Sequence, residues 1–233
     1  MTTQPQISII IPTLNEEGGI GDLLHYLNEV SNADLIKSII VVDGKSDDRT
    51  ASIARQHDAV VLTSQPGRAA QMNVGADSAD SAILYFLHAD TYPPKDFDKM
   101  IVRAWENGHM AGCFRMKFDT KNFVLRFFAY LTRINHIICR GGDQSLFISK
   151  EHFVKLGGFN ADYRIYEDIE FIGRIYKSMA FAILPTHVIT SARKYRDKGW
   201  ARLQFHFAVI HLKNFMGAKP SALYSYYQRH ILA

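Results

Sequence analysis

Ile7-Ser8-Ile9-Ile10-Ile11-Pro12, continued by Thr13-Leu14-Asn15-Glu16-Glu17, decides the fold. Ile7 to Ile11 is a short run rich in β-branched residues that ends at a proline. The polar residues after it lead into an amphipathic stretch from about Glu17 to Val30, so the order reads strand, loop, helix. The unit then repeats. Ser38 to Val42 is a second buried strand, and Ser46-Asp47-Asp48-Arg49-Thr50 offers caps to a helix carrying Ile53 and Ala54. Ala59 to Leu62 is a third strand and Gly67 to Ala79 a helix of small residues. Ala82 to Leu87 is a fourth strand, stopped by His88-Ala89-Asp90-Thr91-Tyr92-Pro93-Pro94. Each strand is continuously apolar rather than alternating, which requires cover on both sheet faces. The expectation is an α/β fold with a mostly parallel central sheet flanked by helices and ligands at the strands' carboxyl ends.

Beyond Pro94 the rhythm loosens. A helix near Lys95 to Asn107, a strand at Ala111 to Phe118 and an aromatic helix from Asn122 to about Ile138 are expected, the last with Phe123, Phe127, Leu131 and Ile134 on one core-facing side. Gly141-Gly142-Asp143-Gln144 opens a strand-like run, Ser145 to Ser149. A helix at Glu167 to Ser178 and a strand at Ala180 to Leu184 precede a helical tail. No internal repeat or low-complexity linker divides the chain, so residues 1–233 read as one domain. Its parts are a regularly alternating half (1–92), which a ligand-binding sheet of this kind would use for a nucleotide, a less regular half (93–192), which would then face the acceptor, and a basic aromatic tail (193–233).

The 233 residues, 47% hydrophobic and 21% charged, exclude a disordered, collagen-like or disulfide-scaffold chain. Apolar runs such as Ser8 to Ile11 and Phe205 to Ile210 fall far short of the roughly 20 residues that cross a bilayer, and Met1-Thr2-Thr3-Gln4-Pro5 does not read as an export signal. Cys113 and Cys139 lack metal spacing and read as small thiols in a reducing cytosol. The net charge of +4 hides a split: residues 193–233 hold 8 Lys/Arg against one acid, the remainder 19 against 22. Such a tail, interleaved with Trp200, Phe205, Phe207, Phe215 and Tyr224, suits an anionic surface or ligand, and charge alone does not choose among lipid, nucleic acid and a phosphorylated compound.

Several acids fall where a doubly wound sheet presents its crevice: Asp43 after strand two, Asp90 after strand four, Glu167-Asp168 at a helix start. Strand-end acids suit hydrogen bonding to a nucleoside or coordination of a divalent ion, and a carboxylate across the cleft suits a general base. Each also has a plain structural reading, as turn former, bend cap or helix-dipole partner. No Gly-rich phosphate loop follows the first strand, and Gly19-Ile20-Gly21 lacks a third glycine, so neither the dinucleotide fingerprint nor a Walker loop is present.

Taken in order, Ile9 to Glu17, Val41-Val42-Asp43-Gly44 with Ser46, Asp48 and Thr50, the strand-end Asp90, and Glu167-Asp168 resemble the motifs of family 2 glycosyltransferases. Gly67-Arg68-Ala69-Ala70-Gln71-Met72-Asn73-Val74-Gly75-Ala76, His88-Ala89-Asp90-Thr91, Gly142-Asp143-Gln144 and Ser191-Ala192-Arg193 are similar to a bacterial subgroup of that family. The resemblance runs from about Ile7 to Arg196. It implies a GT-A fold, a nucleotide-sugar donor and Mg²⁺ or Mn²⁺ bridging the donor diphosphate. On that resemblance Pro12, Thr13, Asn15, Glu16 and Asp43 would hold the nucleoside, with Arg68 on the base or phosphate. Asp90 would stand at the metal position, and Asp168 would deprotonate the acceptor hydroxyl in an inverting displacement. Asp143, Glu167 and Arg193 would serve the acceptor or the diphosphate.

Two departures accompany it. The paired-acid metal motif begins here with His88, leaving one carboxylate, and His187 is the candidate for a further ligand. The family's tryptophan motif is replaced by Ser191-Ala192-Arg193-Lys194-Tyr195-Arg196. The expected enzyme is a metal-assisted glycosyltransferase, cytoplasmic or peripheral on the inner face of a membrane. Its acceptor would be a hydroxyl compound that the tail could present in lipid-linked form, and no nucleic acid is implied. The rivals are a sugar-phosphate nucleotidyltransferase and a non-catalytic nucleotide-sugar-binding module.

Overall fold

The computed structural model describes residues 4–232; Met1, Thr2 and Thr3, of the stretch that does not read as an export signal, and Ala233 lie outside the described residues. The first half alternates as β1 (Ile7–Thr13), α1 (Ile20–Val30), β2 (Ile36–Asp43), α2 (Thr50–Gln56), β3 (Val60–Thr63), α3 (Arg68–Ser78) and β4 (Ile83–Phe86). There follow β5 (Thr91–Tyr92), α4 (Phe97–Glu106), β6 (Ala111–Phe118), α5 (Phe123–Leu131), β7 (Leu146–Ser149), α6 (Lys150–Lys155), α7 (Glu167–Ser178) and β8 (Ala182–Thr190). Next come α8 (Arg193–Lys198), α9 (Trp200–Phe215) and α10 (Pro220–Tyr227), with a last wide helical turn at Gln228–Leu232.

The strands form one sheet in the order β3-β2-β1-β4-β7-β6-β8-β5. β1 to β4 pair in parallel, as the βαβ rhythm requires, whereas β7 is antiparallel to both β4 and β6 and β5 is antiparallel to β8. β5 follows β4 after four residues yet lies four places away in the sheet. A flat path across four strands would take about 19 Å at normal strand spacing, and the linking residues reach at most about 17 Å. The sheet must therefore curl, bringing the residues after β4 opposite the residues after β8.

Both faces of the sheet are covered. Ile7, Ile9, Ile11, Val41 and Tyr85 pack under Leu23, Leu24 and Leu27 of α1 and Phe97 and Ile101 of α4. Ile10, Val42, Leu84 and Phe86 face Met72 and Ala76 of α3 with Phe171 and Ile175 of α7. This two-sided burial, worth about 1.5–3 kcal/mol per large apolar side chain, is why the strands are continuously apolar. α3 lies so close to β1 that a Cβ on Gly75 would stand 2.5 Å from Ile10 Cγ2 and 3.1 Å from Val42 Cγ2.

Two segments depart from the expected pattern. β8 does not stop at Leu184 but runs to Thr190, because the register slips at a bulge: Phe114 faces Leu184 and Arg115 faces His187. Pro185, which lacks an N–H for the ladder, sits in that bulge and accepts a bond from Arg115 Nη1 at 3.1 Å. α5 ends at Leu131, seven residues before the expected end. Only Leu125 and Ala129 of α5 are buried, and Phe123, Phe127 and Ile134, expected in the core, are exposed. The tail folds back: Leu203, Ile210 and Leu223 are buried against Tyr163, Ile165, Tyr166, Tyr195 and Phe207.

Gly75→Val should overpack the α3–β1 contact and lower unfolding stability by about 1–3 kcal/mol. Gly173→Ala in α7, where the new Cβ meets only Ile137 Cδ1 at 3.4 Å, should raise it by up to about 1 kcal/mol. Urea melts of the two variants test the packing, and a neutral Gly75→Val would contradict it.

Candidate active site

A cleft of about 630 Å³ opens at the carboxyl ends of the parallel strands. One wall comes from Pro12, Thr13, Leu14 and Glu16 after β1 and from Gly67, Arg68 and Gln71 at the start of α3. The floor is His88, Ala89 and Asp90, and opposite stand Gly141–Asp143 and Arg164–Ile169. Lys194, Tyr195, Phe207, His211, Tyr224 and Tyr227 of the tail close the far side.

The first wall is fixed by a mesh between the β1–α1 and β2–α2 loops. Asn15 N–H donates to Ser46 Oγ (2.9 Å), Asp47 N–H to Asn15 Oδ1 (2.9 Å), Glu16 N–H to Thr50 Oγ1 (2.8 Å) and Glu17 N–H to Asp48 Oδ2 (3.1 Å). Asp43 is 5% exposed and receives both Ser46 groups, Oγ at 2.5 Å and N–H at 3.1 Å. Asn15 and Asp43 thus stand behind the wall and shape it, while Pro12, Thr13 and Glu16 line it. Gln71 Nε2 donates to the carbonyls of Thr13 and Val42, each at 2.7 Å, and tethers α3 to both strands.

Across the cleft, Asp168 at the first turn of α7 accepts the Gly142 N–H through Oδ2 and the Ile169 N–H through Oδ1 (2.8 Å). A Cβ on Gly142 would overlap the Asp168 carboxylate and lie 2.8 Å from His88 Cε1, so glycine is needed between the carboxylate and the imidazole ring. His88 Nδ1 is 3.3 Å from Asp143 Oδ1. Burial raises the Asp143 pKa, but His88, Arg68 and Lys194 outweigh it and hold the carboxyl below its usual range. Arg68 is reached by solvent within the cleft; desolvation opposes its charge, yet Glu167, Asp143, Asp168 and Asp90 together keep it more firmly protonated than usual. Glu167 is 3% exposed, and burial with the neighbouring Asp168 charge pushes its carboxyl up to about 7 against Arg68 and His88.

Asp90, Arg68, Asp143, Glu167 and Asp168 therefore meet in one cavity, and besides Asn15 and Asp43, His187 and Arg193 do not join them. His187 lies on β8 opposite Arg115, away from the cleft lining, and burial together with Lys117, Arg133 and Arg115 pushes its pKa down; a site crowded with cations is unsuited to a metal. Arg193 turns to Glu16, 3.3 Å away, and its neighbour Lys194 enters the cleft instead, bonded to the Tyr227 hydroxyl at 2.6 Å and lying over the Tyr227 and Phe207 rings. A helical turn puts adjacent residues about 100° apart, so sequence order could not say which cation faces in.

Sequence reading also missed Gln71 and Arg140. Arg140 is 4% exposed, and its guanidinium gathers the carbonyls of Thr132 (2.7 Å) and Ile134 (2.5 Å), Gln144 Oε1 (2.7 Å) and Cys113 Sγ (3.2 Å). That wrapping ends α5 early and sets the position of Gly142.

For a divalent ion the donors are sparse: among the described residues no three His, Cys, Asp or Glu side chains form a metal cluster. Asp90 lines the cleft, and among the described residues its carboxylate accepts only a long bond from the Thr91 hydroxyl, 3.4 Å. One carboxylate fits an oxygen-seeking ion such as Mg²⁺ that takes its other ligands from phosphates and water.

The chain matches the model of Glycosyl transferase family 2 over residues 8–154. A probable glycosyltransferase, YdaM, of Bacillus subtilis (strain 168) is 26% identical over 201 residues, covering 76% of this chain and 48% of the relative. The chain spans from a third to about half the length of the first curated relatives it matches. S. aureus TarS 1-349 in complex with UDP-GlcNAc superposes with a TM-score of 0.67 at 20% identity, over 80% of this chain and 58% of that one. The mannosyltransferase PcManGT from Pyrobaculum calidifontis in complex with GDP-Man and Mn²⁺ gives 0.68 at 20% identity, over 90% and 63%. At these identities the likeness is one of fold, and the fold is GT-A.

The raised Glu167 pKa has a sign that can be tested. Above its ordinary carboxyl value and up to about 7, the folded chain keeps a proton that the unfolded chain has released. The stability this group contributes is complete below that ordinary value and is lost as the pH rises through 7. Glu167→Gln should flatten that loss, gaining on the parent by up to about 3 kcal/mol between about pH 5 and pH 8. Urea melts at the two pH values measure it, and parallel profiles would refute the shift.

Proposed function

This chain belongs to glycosyl transferase family 2, and on that premise we propose that it transfers a sugar from a nucleoside-diphosphate sugar to an acceptor hydroxyl with inversion at the anomeric carbon. The observation that carries the reading is the convergence of Asp90, Arg68 and the Glu167-Asp168 pair in one cleft, of a volume in the range of small-ligand sites.

The nucleoside lies along Pro12, Thr13 and Glu16, on the wall that Asn15 and Asp43 hold rigid. The diphosphate faces Asp90, Arg68 and Lys194. Asp168 is the base: held from behind by the Gly142 and Ile169 N–H groups, its carboxylate takes the proton of the acceptor hydroxyl. The acceptor oxygen forms the new bond to the anomeric carbon while the bond to the diphosphate breaks and its electron pair leaves with the diphosphate. Attack and departure lie on opposite faces of the sugar, which inverts the centre. Arg68 and Lys194 stabilise the charge developing on the leaving group through pre-placed cations. Asp90 is the residue that would hold Mg²⁺ or Mn²⁺, and such an ion, when bound, adds Lewis-acid stabilisation of the same charge. Asp143, oriented by His88, is placed to accept a hydroxyl of the incoming sugar or acceptor.

Nucleotide sugars and nucleoside diphosphates, screened with and without Mn²⁺, should raise the melting temperature selectively, and one nucleotide sugar should be slowly hydrolysed. Asp168→Asn should reduce turnover by roughly 10²–10⁴-fold while leaving the donor-induced shift in place. Full turnover by Asp168→Asn removes the base assignment. Release of pyrophosphate from a nucleoside triphosphate would favour nucleotidyl transfer, and donor binding without turnover a binding module.

A further inference from the structure

α5 and the segment after it carry an apolar surface that the fold does not use. Its sequence, FVLRFFAYL, has one charged residue among nine, and the inward stripe is Leu125 and Ala129. On the opposite side Phe123 is 80% exposed, Phe127 52% and Tyr130 62%, at helical spacings of four and three, and Ile134 and Ile138 extend the patch at 51% and 75%. A helix apolar on both faces is stable in water on one of them only, and a contiguous patch of this kind marks a contact surface.

Its charge selects the partner. From Thr120 to Arg140 the chain has four cations and no acid; of these Lys121, Arg126 and Arg133 are exposed, and Arg133 lies 4.9 Å over the Tyr130 ring. Aromatic residues flanked by exposed cations complement a surface that is apolar below and anionic above. No helix among the described residues is long and apolar enough to cross a membrane, so contact of this kind is interfacial.

The surface also adjoins the cleft. A smaller cavity of about 180 Å³, walled by Phe128, Leu131 and Ile138 on one side and Tyr195 and Gln204 on the other, shares Arg140, Gly141 and Asp143 with the main cleft. Gly141 and Asp143 flank the Gly142 that bonds Asp168.

We propose that the outer face of α5, continued by Ile134 and Ile138, docks on an anionic lipid bilayer and turns the Asp143 end of the cleft towards it. The docking surface goes beyond the transfer reaction. Its corollary, that the acceptor is a membrane-borne alcohol whose apolar part enters through the smaller cavity, rests on the transferase reading.

The test is flotation of the full chain with vesicles of phosphatidylcholine alone or mixed with phosphatidylglycerol. The chain should float with the anionic vesicles, less so at high salt. Phe123→Ser/Phe127→Ser and Arg126→Glu/Arg133→Glu should each weaken partition at least tenfold, while Val154→Ser, an exposed apolar residue on α6, should not. Because the changed side chains are exposed, the double variants should keep the parent's donor-induced melting shift; failure of that shift in the parent would strike the transferase reading and leave docking standing. Absence of flotation, or flotation unaltered by both double variants, overturns the proposal. So does a self-association of the parent that Phe123→Ser/Phe127→Ser abolishes without any lipid binding, which would make this face a contact between copies.

Discussion

The Gly142 N–H to Asp168 carboxylate bond is the constraint on which the site depends, because three separate parts of the chain meet at it. α7 supplies the carboxylate, the turn before β7 supplies the amide, and the residues after β4 supply His88, against which Gly142 is wedged. With no room for a Cβ, the carboxylate has a backbone donor at fixed distance and cannot swing to another rotamer without losing it. The antiparallel pairing of β4 with β7 makes the meeting possible, since it sets the residues after Phe86 beside those before Leu146. Arg140 completes the arrangement by holding the chain from Thr132 to Gln144 in a tight wrap.

Charge in the cleft follows from that closeness. Four carboxylates surround Arg68, so none of them is electrostatically independent. Burial and the neighbouring Asp168 charge push the Glu167 carboxyl up to about 7, while His88, Arg68 and Lys194 hold Asp143 below the usual carboxylate range. Two acids of one cleft are thus shifted in opposite directions by their surroundings.

The parallel half of the fold was legible because burial on both faces leaves no alternative to continuous apolar strands, and Ile7 to Ile11 states that without ambiguity. Asp90 and Asp168 were legible because a strand end and a helix start fix where a side chain emerges. Asp43 shows the limit: its position after β2 was clear, but whether it faced the ligand or the turn depended on Ser46, three residues on. The bulge at Pro185 was hidden because a proline ordinarily ends a strand, and only the partner strand shows that the ladder resumes. α5 misled for a different reason. Periodicity reports that a face is apolar and says nothing of which apolar face the protein itself covers, so Phe123 and Phe127 read as core.

The two sides of the cleft are fastened differently. One is woven into the sheet and stitched by the backbone-to-side-chain mesh from Asn15 to Thr50. The tail side is held by the packing of Leu203, Ile210 and Leu223 and by separate side-chain contacts, Tyr166 to His211 and the Arg164 guanidinium over Tyr224. Side-chain contacts of this kind can open while the sheet stays intact, whereas the mesh can yield only with the strands beneath it. Opening of the cleft is accordingly easier on the tail side than on the side of the β1–α1 and β2–α2 loops.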